Sequence, residues 1–205
     1  GTLDVTKTSS TPVAPEDGVK DGLENTREKT GVRFDDVDFF AHGTTVATNA
    51  VLEEDWADTA LVTTDGFRDV LEIGRQARPD IYDFQTEKPA TVVPRNHRYE
   101  IPERLDERGD VTTPLDEGVV RDIAAQLVDA DISSVAISLL FSYENASHER
   151  RIKEILEAEG VDASFSLSSE VLPEIREYER TLTTALNAAL KPVMDRYLGN
   201  LEREI

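Results

Sequence analysis

Short apolar runs alternate with amphipathic segments along this sequence, and that alternation constrains the fold more than any other feature. Three apolar runs predict strands, at residues 59–63, 135–141 and 163–167. Helical periodicity follows each run, at residues 66–73, 148–159 and 178–204. Because strands separated by helices need right-handed crossovers, they come to lie side by side in parallel. The sequence therefore predicts the α/β class, with a mainly parallel sheet flanked by helices.

The remaining segments continue the pattern less regularly. Further strands are predicted at residues 2–6, 37–41 and 97–101, and further helices at 17–29, 44–54 and 116–130. Pro192 predicts a break in the last helix, because proline lacks the N–H and clashes with the preceding turn. We divide the chain into a first α/β part (1–73), an Arg- and Pro-rich excursion with strands (74–114), and a second α/β part that ends in a long helix (115–205).

The charge balance limits the partners. The 205 residues hold 42 Asp+Glu against 22 Lys+Arg, a formal net charge of −20. That balance argues against nucleic acid, whose phosphates need a basic surface. Because there is neither an apolar run of membrane-spanning length nor a signal peptide, we expect no membrane partner and a cytoplasmic location. The 22 basic residues are 16 Arg and only 6 Lys, which favours a protein adapted to high intracellular salt over an ordinary acidic protein.

The sequence gives little support for a metal site or for a nucleophilic catalytic residue. The chain has no cysteine, which excludes thiolate ligands, disulfides and cysteine nucleophiles. Its 3 histidines are too scattered for a ligand motif, so no metal site is predicted. Neither a Walker A loop nor a G-x-G-x-x-G or G-x-S-x-G motif is present.

Three polar clusters are the candidate sites. The first follows a predicted strand and opens a predicted helix, where free N–H groups and the helix dipole suit an anion; it contains His42, Thr44, Thr45, Thr48 and Asn49. There, His42 could also transfer protons. The alternative is an ordinary strand-to-helix turn with a threonine cap.

The second cluster is positively charged, in contrast to the acidic chain around it. Arg75, Gln76 and Arg78 form a compact set of donors that could bind a small anionic or amide-bearing substrate. Pairing of the arginines with neighbouring acidic residues remains equally open. The third cluster, Glu179, Arg180 and Thr181, opens the last helix and could face a cleft, or else form a solvated cap.

Four long segments resemble the hydantoinase/oxoprolinase family, in particular the amino-terminal part of ATP-dependent N-methylhydantoinase A-type subunits. They are HGTTVATNAVLE (42–53), LVTTDGFRDVLEIGRQARPDIYD (61–83), SLLFSYENASHERRIKEIL (138–156) and SSEVLPEIREYERTLTTALNAAL (168–190). The resemblance implies an ATPase of the actin/sugar-kinase type that holds nucleotide and Mg²⁺ between two RNase-H-like lobes. ATP would activate a carbonyl of a cyclic amide such as a hydantoin or 5-oxoproline, and a hydantoinase B-like companion subunit or domain would complete the reaction.

The resemblance also implies roles for the three clusters. His42, Thr44 and Thr45 would orient the activated oxygen or its phosphate, whereas the other cluster residues would contact the substrate. They are Thr48, Asn49, Arg75, Gln76, Arg78, Glu179, Arg180 and Thr181. A ketone carboxylase subunit is the alternative within the enzyme class, and a non-catalytic subdomain that docks a partner subunit is the alternative outside it. Because the family's D-x-G-G-T-F-T-D phosphate loop is absent, we expect these residues to be a piece that is inactive alone and binds no nucleotide.

Overall fold

Four parallel strands form the sheet of this protein. A computed structural model describes residues 3–9, 11, 14–76, 82 and 90–204. The chain divides into unit 1, Gly1–Asp55 with Val193–Ile205, and unit 2, Trp56–Pro192. The sheet lies in unit 2, and its strand order is β2-β1-β5-β6. Its strands are β1 (Thr59–Thr64), β2 (Arg98–Ile101), β5 (Ser134–Ser138) and β6 (Ser164–Leu167).

The other elements connect or cover these strands. A short antiparallel pair joins β3 to β4, Arg104–Leu105 to Val111–Thr113. The helices are α1 (Pro15–Thr30), α2 (Val46–Glu53), α3 (Val70–Ile73), α4 (Glu117–Asp129), α5 (Ser147–Ala158), α6 (Ser168–Val171) and α7 (Glu177–Glu204). Asp116 caps α4 by accepting hydrogen bonds from the N–H groups of Gly118 and Val119, which would otherwise lack a helical partner. The predicted α/β class with a parallel sheet and flanking helices is confirmed.

The two central strands are buried along their whole length. Because side chains alternate across a strand, β1 sends Ala60 and Val62 to one face and Leu61 to the other. The first face packs against α4 and α5, with Leu127 and Ile152 fully buried. The opposite face packs against small residues of α7: Ala185, Ala188 and Ala189. The sheet is therefore covered on both faces, as parallel sheets require.

Unit 1 contrasts with this well-packed sheet. Its helix α1 ends at Gly31, whose φ of 74° is easily adopted by glycine, but none of the helix residues is buried. In α2 only Ala50 is buried. The described buried hydrophobic residues of unit 1 are Ala50, Tyr197 and Leu201, and both core clusters consist of unit 2 residues.

Several element predictions were wrong. Residues 37–41 form no strand, and Phe39 is 82% exposed: an apolar run without a neighbouring strand has no ladder to join. Residues 3–6 are likewise irregular, and residue 2 lies outside the described part.

The predicted helix at 66–73 begins only at Val70, because Gly66, at a φ of 87°, makes a turn first. Strand β5 ends at Ser138, since the chain leaves the sheet there and reaches a φ of 56° at Phe141. Helix α7 continues through Pro192, where the missing N–H costs one hydrogen bond without ending the helix.

Candidate functional site

The carboxyl ends of β1 and β5 form the position where open α/β sheets usually bind ligands. These neighbouring strands pair in parallel. The connection that follows β1 contains α3 and packs on one face of the sheet, whereas the connection that follows β5 contains α5 and packs on the other. Strands whose connections diverge in this way leave a crevice at their carboxyl ends. We refer to this place as the carboxyl edge.

The carboxyl edge receives two residues of the third predicted cluster. Arg180 and Thr181, at the start of α7, are 1% and 3% exposed. The Arg180 guanidinium donates to the carbonyl of Leu139 at 2.7 Å and to that of Glu174 at 2.8 Å. Burial lowers the pKa of Arg180, and its Nε has no hydrogen-bond partner among the residues that the structure describes. The Thr181 hydroxyl lies 2.9 Å from that of Ser138. Both side chains therefore bind the end of β5.

A buried carboxylate holds the same edge from α5. Glu149 is fully buried, and its two oxygens accept four hydrogen bonds. The donors are the N–H of Leu139 at 3.0 Å, the N–H of Ser169 at 2.9 Å, and the hydroxyls of Ser168 and Ser169 at 2.6 Å each. Because every donor comes from the end of β5 or β6, this carboxylate ties the two strand ends together.

A second buried carboxylate, Glu103, belongs to the connection between β2 and β3. One of its oxygens lies 2.7 Å from Nδ1 of His148, and the other accepts from the hydroxyl of Thr64 at the end of β1. The Thr64 oxygen also accepts from the N–H of Leu140 at 3.0 Å. The Glu103 side chain is entirely buried, whereas that of His148 retains 10% of its surface. A carboxylate that fixes one nitrogen of a histidine is a frequent device for setting the ring's orientation.

The second predicted cluster meets the third at one contact. Nε of Arg75 donates to the carboxylate of Glu179 at 2.6 Å. A hydrogen bond from its own backbone N–H and the Arg75 guanidinium lower the pKa of the Glu179 carboxyl. Gln76 is exposed and has a φ of 58°. Arg78 lies outside the described residues.

The first predicted cluster lies at the start of α2 in unit 1. All five of its residues are exposed. Nε2 of His42 lies 2.6 Å from the hydroxyl of Tyr197, which is 5% exposed. The Thr44 hydroxyl accepts from the N–H of Val46 at 3.3 Å, whereas Thr45 occupies the N-cap without a side-chain bond. No acidic side chain lies in the first turn of α2, so its positive end is not neutralised within the helix.

Sequence reasoning missed Glu103, His148 and Glu149. The His–Glu pair at 148–149 lies in the first turn of α5, within one of the family-like segments, SLLFSYENASHERRIKEIL, and its place in that segment was the available signal. Glu103 had no such signal, because 45 positions separate it from His148 and only the folded sheet brings the two together.

Comparison with known proteins identifies the family. The family model described as the hydantoinase/oxoprolinase N-terminal region matches residues 1–160. This chain belongs to the hydantoinase/oxoprolinase family. The resemblance on which the sequence analysis relied is therefore confirmed.

Three relatives illustrate the range of the family. An uncharacterised protein of Methanocaldococcus jannaschii is 40% identical and is matched by 96% of this chain. The caprolactamase subunit alpha of Pseudomonas jessenii is 34% identical over 93% of the chain, and 5-oxoprolinase 1 of Arabidopsis thaliana is 33% identical over 91%. The chain spans 29% of the length of each of the first two relatives and 16% of the third.

Two solved structures share the fold. The ATP-dependent caprolactamase of Pseudomonas jessenii superposes with a TM-score of 0.89 and 34% identity, over 98% of this chain and 30% of that one. A nucleotide-free acetone carboxylase gives a TM-score of 0.82 and 26% identity, over 95% of this chain and 30% of the other. Family members thus include ATP-dependent enzymes that act on cyclic amides and on ketones.

Two kinds of feature are absent from the residues that the structure describes. No helix in the ranges that the structure describes is both long and apolar enough to cross a membrane. Within the same ranges, no group of three or more His, Asp or Glu side chains is arranged to hold a metal ion.

Proposed function

We propose that the protein containing this chain is an ATP-dependent hydrolase that opens the C–N bond of cyclic amides. One observation carries the proposal: the similarity to ATP-dependent caprolactamase, with 34% identity and a TM-score of 0.89, exceeds that to acetone carboxylase, with 26% and 0.82. Since the chain covers 30% of either solved chain, it would contribute the amino-terminal region of the enzyme. An actin/sugar-kinase-like lobe remains our expectation for its place in the ATPase.

The start of α2 is proposed to bind a phosphate group or the activated oxygen. Its N-terminal N–H groups, its first turn free of acidic side chains and its exposed Thr44 and Thr45 hydroxyls favour a negatively charged ligand. His42 would orient that ligand, while Thr48 and Asn49 would contact the substrate. Mg²⁺ would accompany ATP in the complete protein, where it would bridge the phosphate oxygens and neutralise their charge.

Arg75 and Gln76 are proposed to contact the substrate, together with Arg78. Arg75 is well exposed, at 66% of its side chain, and among the described residues its guanidinium is paired with one carboxylate, that of Glu179. Exposed ion pairs of this kind contribute little to stability. Arg75 could therefore leave Glu179 and bind a substrate carbonyl or carboxylate at a small cost in free energy. Arg180 and Thr181 would act less directly, since their polar groups are bound within the fold.

The proposed partner is a companion subunit of the hydantoinase B type. The relative from Pseudomonas jessenii is itself named as the alpha subunit of a caprolactamase, which supports assembly with a second chain. ATP would be a substrate of the assembled enzyme. We expect the 205 residues alone to be inactive and to bind nucleotide with a Kd weaker than about 10 μM.

The test is an assay of the complete protein with its companion subunit. ATP hydrolysis is measured with caprolactam, 5-oxoproline, hydantoin and acetone plus bicarbonate, and the ring-opened product is quantified. We expect a cyclic amide to stimulate ATP hydrolysis. Arg75→Gln should then raise KM for that amide about tenfold. The matched control Arg108→Gln removes an exposed arginine from the β3–β4 turn and should leave KM unchanged.

Two outcomes would contradict the proposal. Stimulation by acetone and bicarbonate with no response to any cyclic amide would favour the carboxylase alternative. Failure of every compound to stimulate ATP hydrolysis would refute the enzyme assignment itself.

A second function, docking of the companion subunit, is favoured by the poor core of unit 1. Large hydrophobic side chains are exposed there at Leu3, Val5, Val32, Val37, Phe39, Phe40, Val51 and Leu52. Exposed hydrophobic side chains mark an interaction surface where they form a contiguous patch, and we propose that these side chains do so. Replacing Phe39 and Leu52 by serine should release the companion subunit during co-purification, whereas replacing Val128 of unit 2 by serine should not. Retention of the companion by the Phe39/Leu52 variant would refute the docking function.

A further inference from the structure

One family-like segment, residues 138–156, received no site assignment from the sequence. Three of its polar side chains form hydrogen bonds that hold the fold together. Ser142 donates to the carbonyl of Leu139, Asn145 donates to the carbonyl of Gly109, and Glu149 binds four donors. His148 differs, because only one of its two ring nitrogens has a hydrogen-bond partner among the described residues.

The chemistry of Glu103 determines which nitrogen of His148 is free. An ionised carboxylate only accepts hydrogen bonds, so Nδ1 of His148 must carry the hydrogen in the 2.7 Å contact with Glu103. In the neutral ring, Nε2 then has a lone pair and can accept a proton. Glu103 is itself fixed on its other oxygen by the hydroxyl of Thr64. These two contacts hold the ring in one orientation, and an ionised Glu103 selects the tautomer that carries its hydrogen on Nδ1.

The position of His148 suits contact with a ligand. Glu103 links the ring to the end of β1 through Thr64, and Thr64 in turn binds the N–H of Leu140, just after β5. These strand ends are the carboxyl edge, where ligands bind in open parallel sheets. The His148 side chain retains 10% of its surface in an otherwise buried cluster. In contrast, Nε2 of His42 already contacts the hydroxyl of Tyr197.

We propose that His148 is a catalytic residue that transfers protons during ring opening, and that Glu103 is its positioning residue. This inference rests on the proposed function. ATP first transfers its γ-phosphoryl group to the amide oxygen and departs as ADP, which gives the activated amide. Water then adds to the amide carbon, and one of its protons passes to Nε2 of His148. The C–N bond then breaks, the same proton passes to the departing nitrogen, and the added hydroxyl releases its own proton to become the carbonyl of an acyl phosphate. A second water hydrolyses the acyl phosphate that remains, which yields the carboxylate and inorganic phosphate. The imidazole ends the cycle as it began.

The experiment compares two variants of His148 in the complete protein with its companion subunit. His148→Ala removes the ring, whereas His148→Asn keeps a side-chain N–H that can donate to Glu103 but cannot accept a proton. Both should lower kcat for lactam opening at least about 100-fold. Imidazole in the buffer should restore part of the rate to His148→Ala, because it can occupy the space of the deleted ring. Glu103→Gln should lower kcat at least about tenfold with a smaller change in KM.

The matched control is His97→Ala, a half-buried histidine in the 3-10 turn before β2. Its activity should equal that of the wild type, with and without imidazole.

Wild-type kcat in His148→Asn would overturn the proposal, because the contact between His148 and Glu103 would then have only a structural role. Loss of activity in His148→Ala without rescue by imidazole would overturn it as well. A wild type that responds to no cyclic amide would refute the proposed function and this inference with it, whereas a responsive wild type with an active His148→Asn refutes the inference alone.

Discussion

Glu149 and Arg180 bind the two backbone polar groups of one residue, Leu139. The Glu149 carboxylate accepts the N–H of Leu139 at 3.0 Å, and the Arg180 guanidinium donates to the carbonyl oxygen of Leu139 at 2.7 Å. Leu139 is the first residue after β5, and the chain reaches the left-handed region two residues later, at Phe141. A φ of 56° is unfavourable for an aromatic residue, so it persists only where the surroundings determine it. The two charged side chains supply that constraint from α5 and α7.

Replacing Glu149 by glutamine should therefore destabilise the protein strongly. The amide retains one acceptor oxygen, but its NH₂ group must face N–H or hydroxyl donors that then lose their acceptor. We expect a loss of about 2 kcal/mol or more in the free energy of unfolding, measured by urea denaturation. Glu154→Gln is the control on the same helix, where the side chain is 63% exposed, and should change stability by less than about 0.5 kcal/mol. Equal effects of the two substitutions would show that the four hydrogen bonds contribute little.

The packing of α4 predicts opposite results for two adjacent residues. Leu127 is fully buried between the sheet and α5, whereas Val128 is 55% exposed. Leu127→Ala should cost about 2–5 kcal/mol, since it removes buried methyl groups and leaves a cavity. Val128→Ala should be neutral or slightly stabilising, because alanine has the higher helix propensity. Urea denaturation of both variants provides the comparison, and a Leu127→Ala cost below about 1 kcal/mol would contradict the packing described here.

The sheet could be predicted because its signals are local. Each central strand contains a short apolar run, at residues 60–62 and 135–137, and helices such as α4 and α5 show clear periodicity, which in α4 follows the capping residue Asp116. The apolar run at 37–41 carries the same local signal but has no partner strand among the described residues, so local reasoning failed there. Strand length and apolarity do not reveal whether a neighbour exists.

The site was less predictable than the fold for a related reason. Arg180 stood out as a charged residue at a helix start, but its burial against the carboxyl end of β5 depends on the tertiary structure. The contact between Glu103 and His148 likewise joins two distant segments. Sequence spacing detects groups on one element, whereas the carboxyl edge combines the ends of β1 and β5 with side chains from α5 and α7.

The Arg75–Glu179 pair predicts a pH dependence of stability. The pKa of the Glu179 carboxyl is lowered from its ordinary value of 4.5, first by its own backbone N–H and then by Arg75. Between the lowered pKa and 4.5 the unfolded chain binds more protons than the folded one, so stability rises with pH. The contribution is complete above 4.5 and is lost as the pH falls through the lowered value.

Arg75→Gln should reduce this acid sensitivity. The pKa of Glu179 should return part of the way to 4.5, because the backbone hydrogen bond remains after the guanidinium is removed. An NMR titration of the Glu179 carboxyl, combined with urea denaturation between about pH 3 and 5, measures both effects. Arg108→Gln controls for the loss of one positive charge elsewhere. An unchanged Glu179 titration in Arg75→Gln would show that the ion pair is not maintained in solution.

The net charge of −20 predicts that salt stabilises the protein. Salt weakens two opposing contributions: repulsion among the excess carboxylates and attraction within exposed pairs such as Arg151–Glu117. Exposed pairs contribute about 0–1 kcal/mol each, so the repulsion should dominate. We expect the melting temperature to rise from dilute buffer to about 2 M KCl, as the screening length falls from about 10 Å at 0.1 M to about 3 Å at 1 M.

A variant with lysine at the exposed positions Asp129, Asp162 and Glu174 has a charge of −20 + 6 = −14 and should respond less. Equal salt responses of the two proteins would contradict repulsion as the cause, and a melting temperature that does not change with KCl would refute the adaptation to salt.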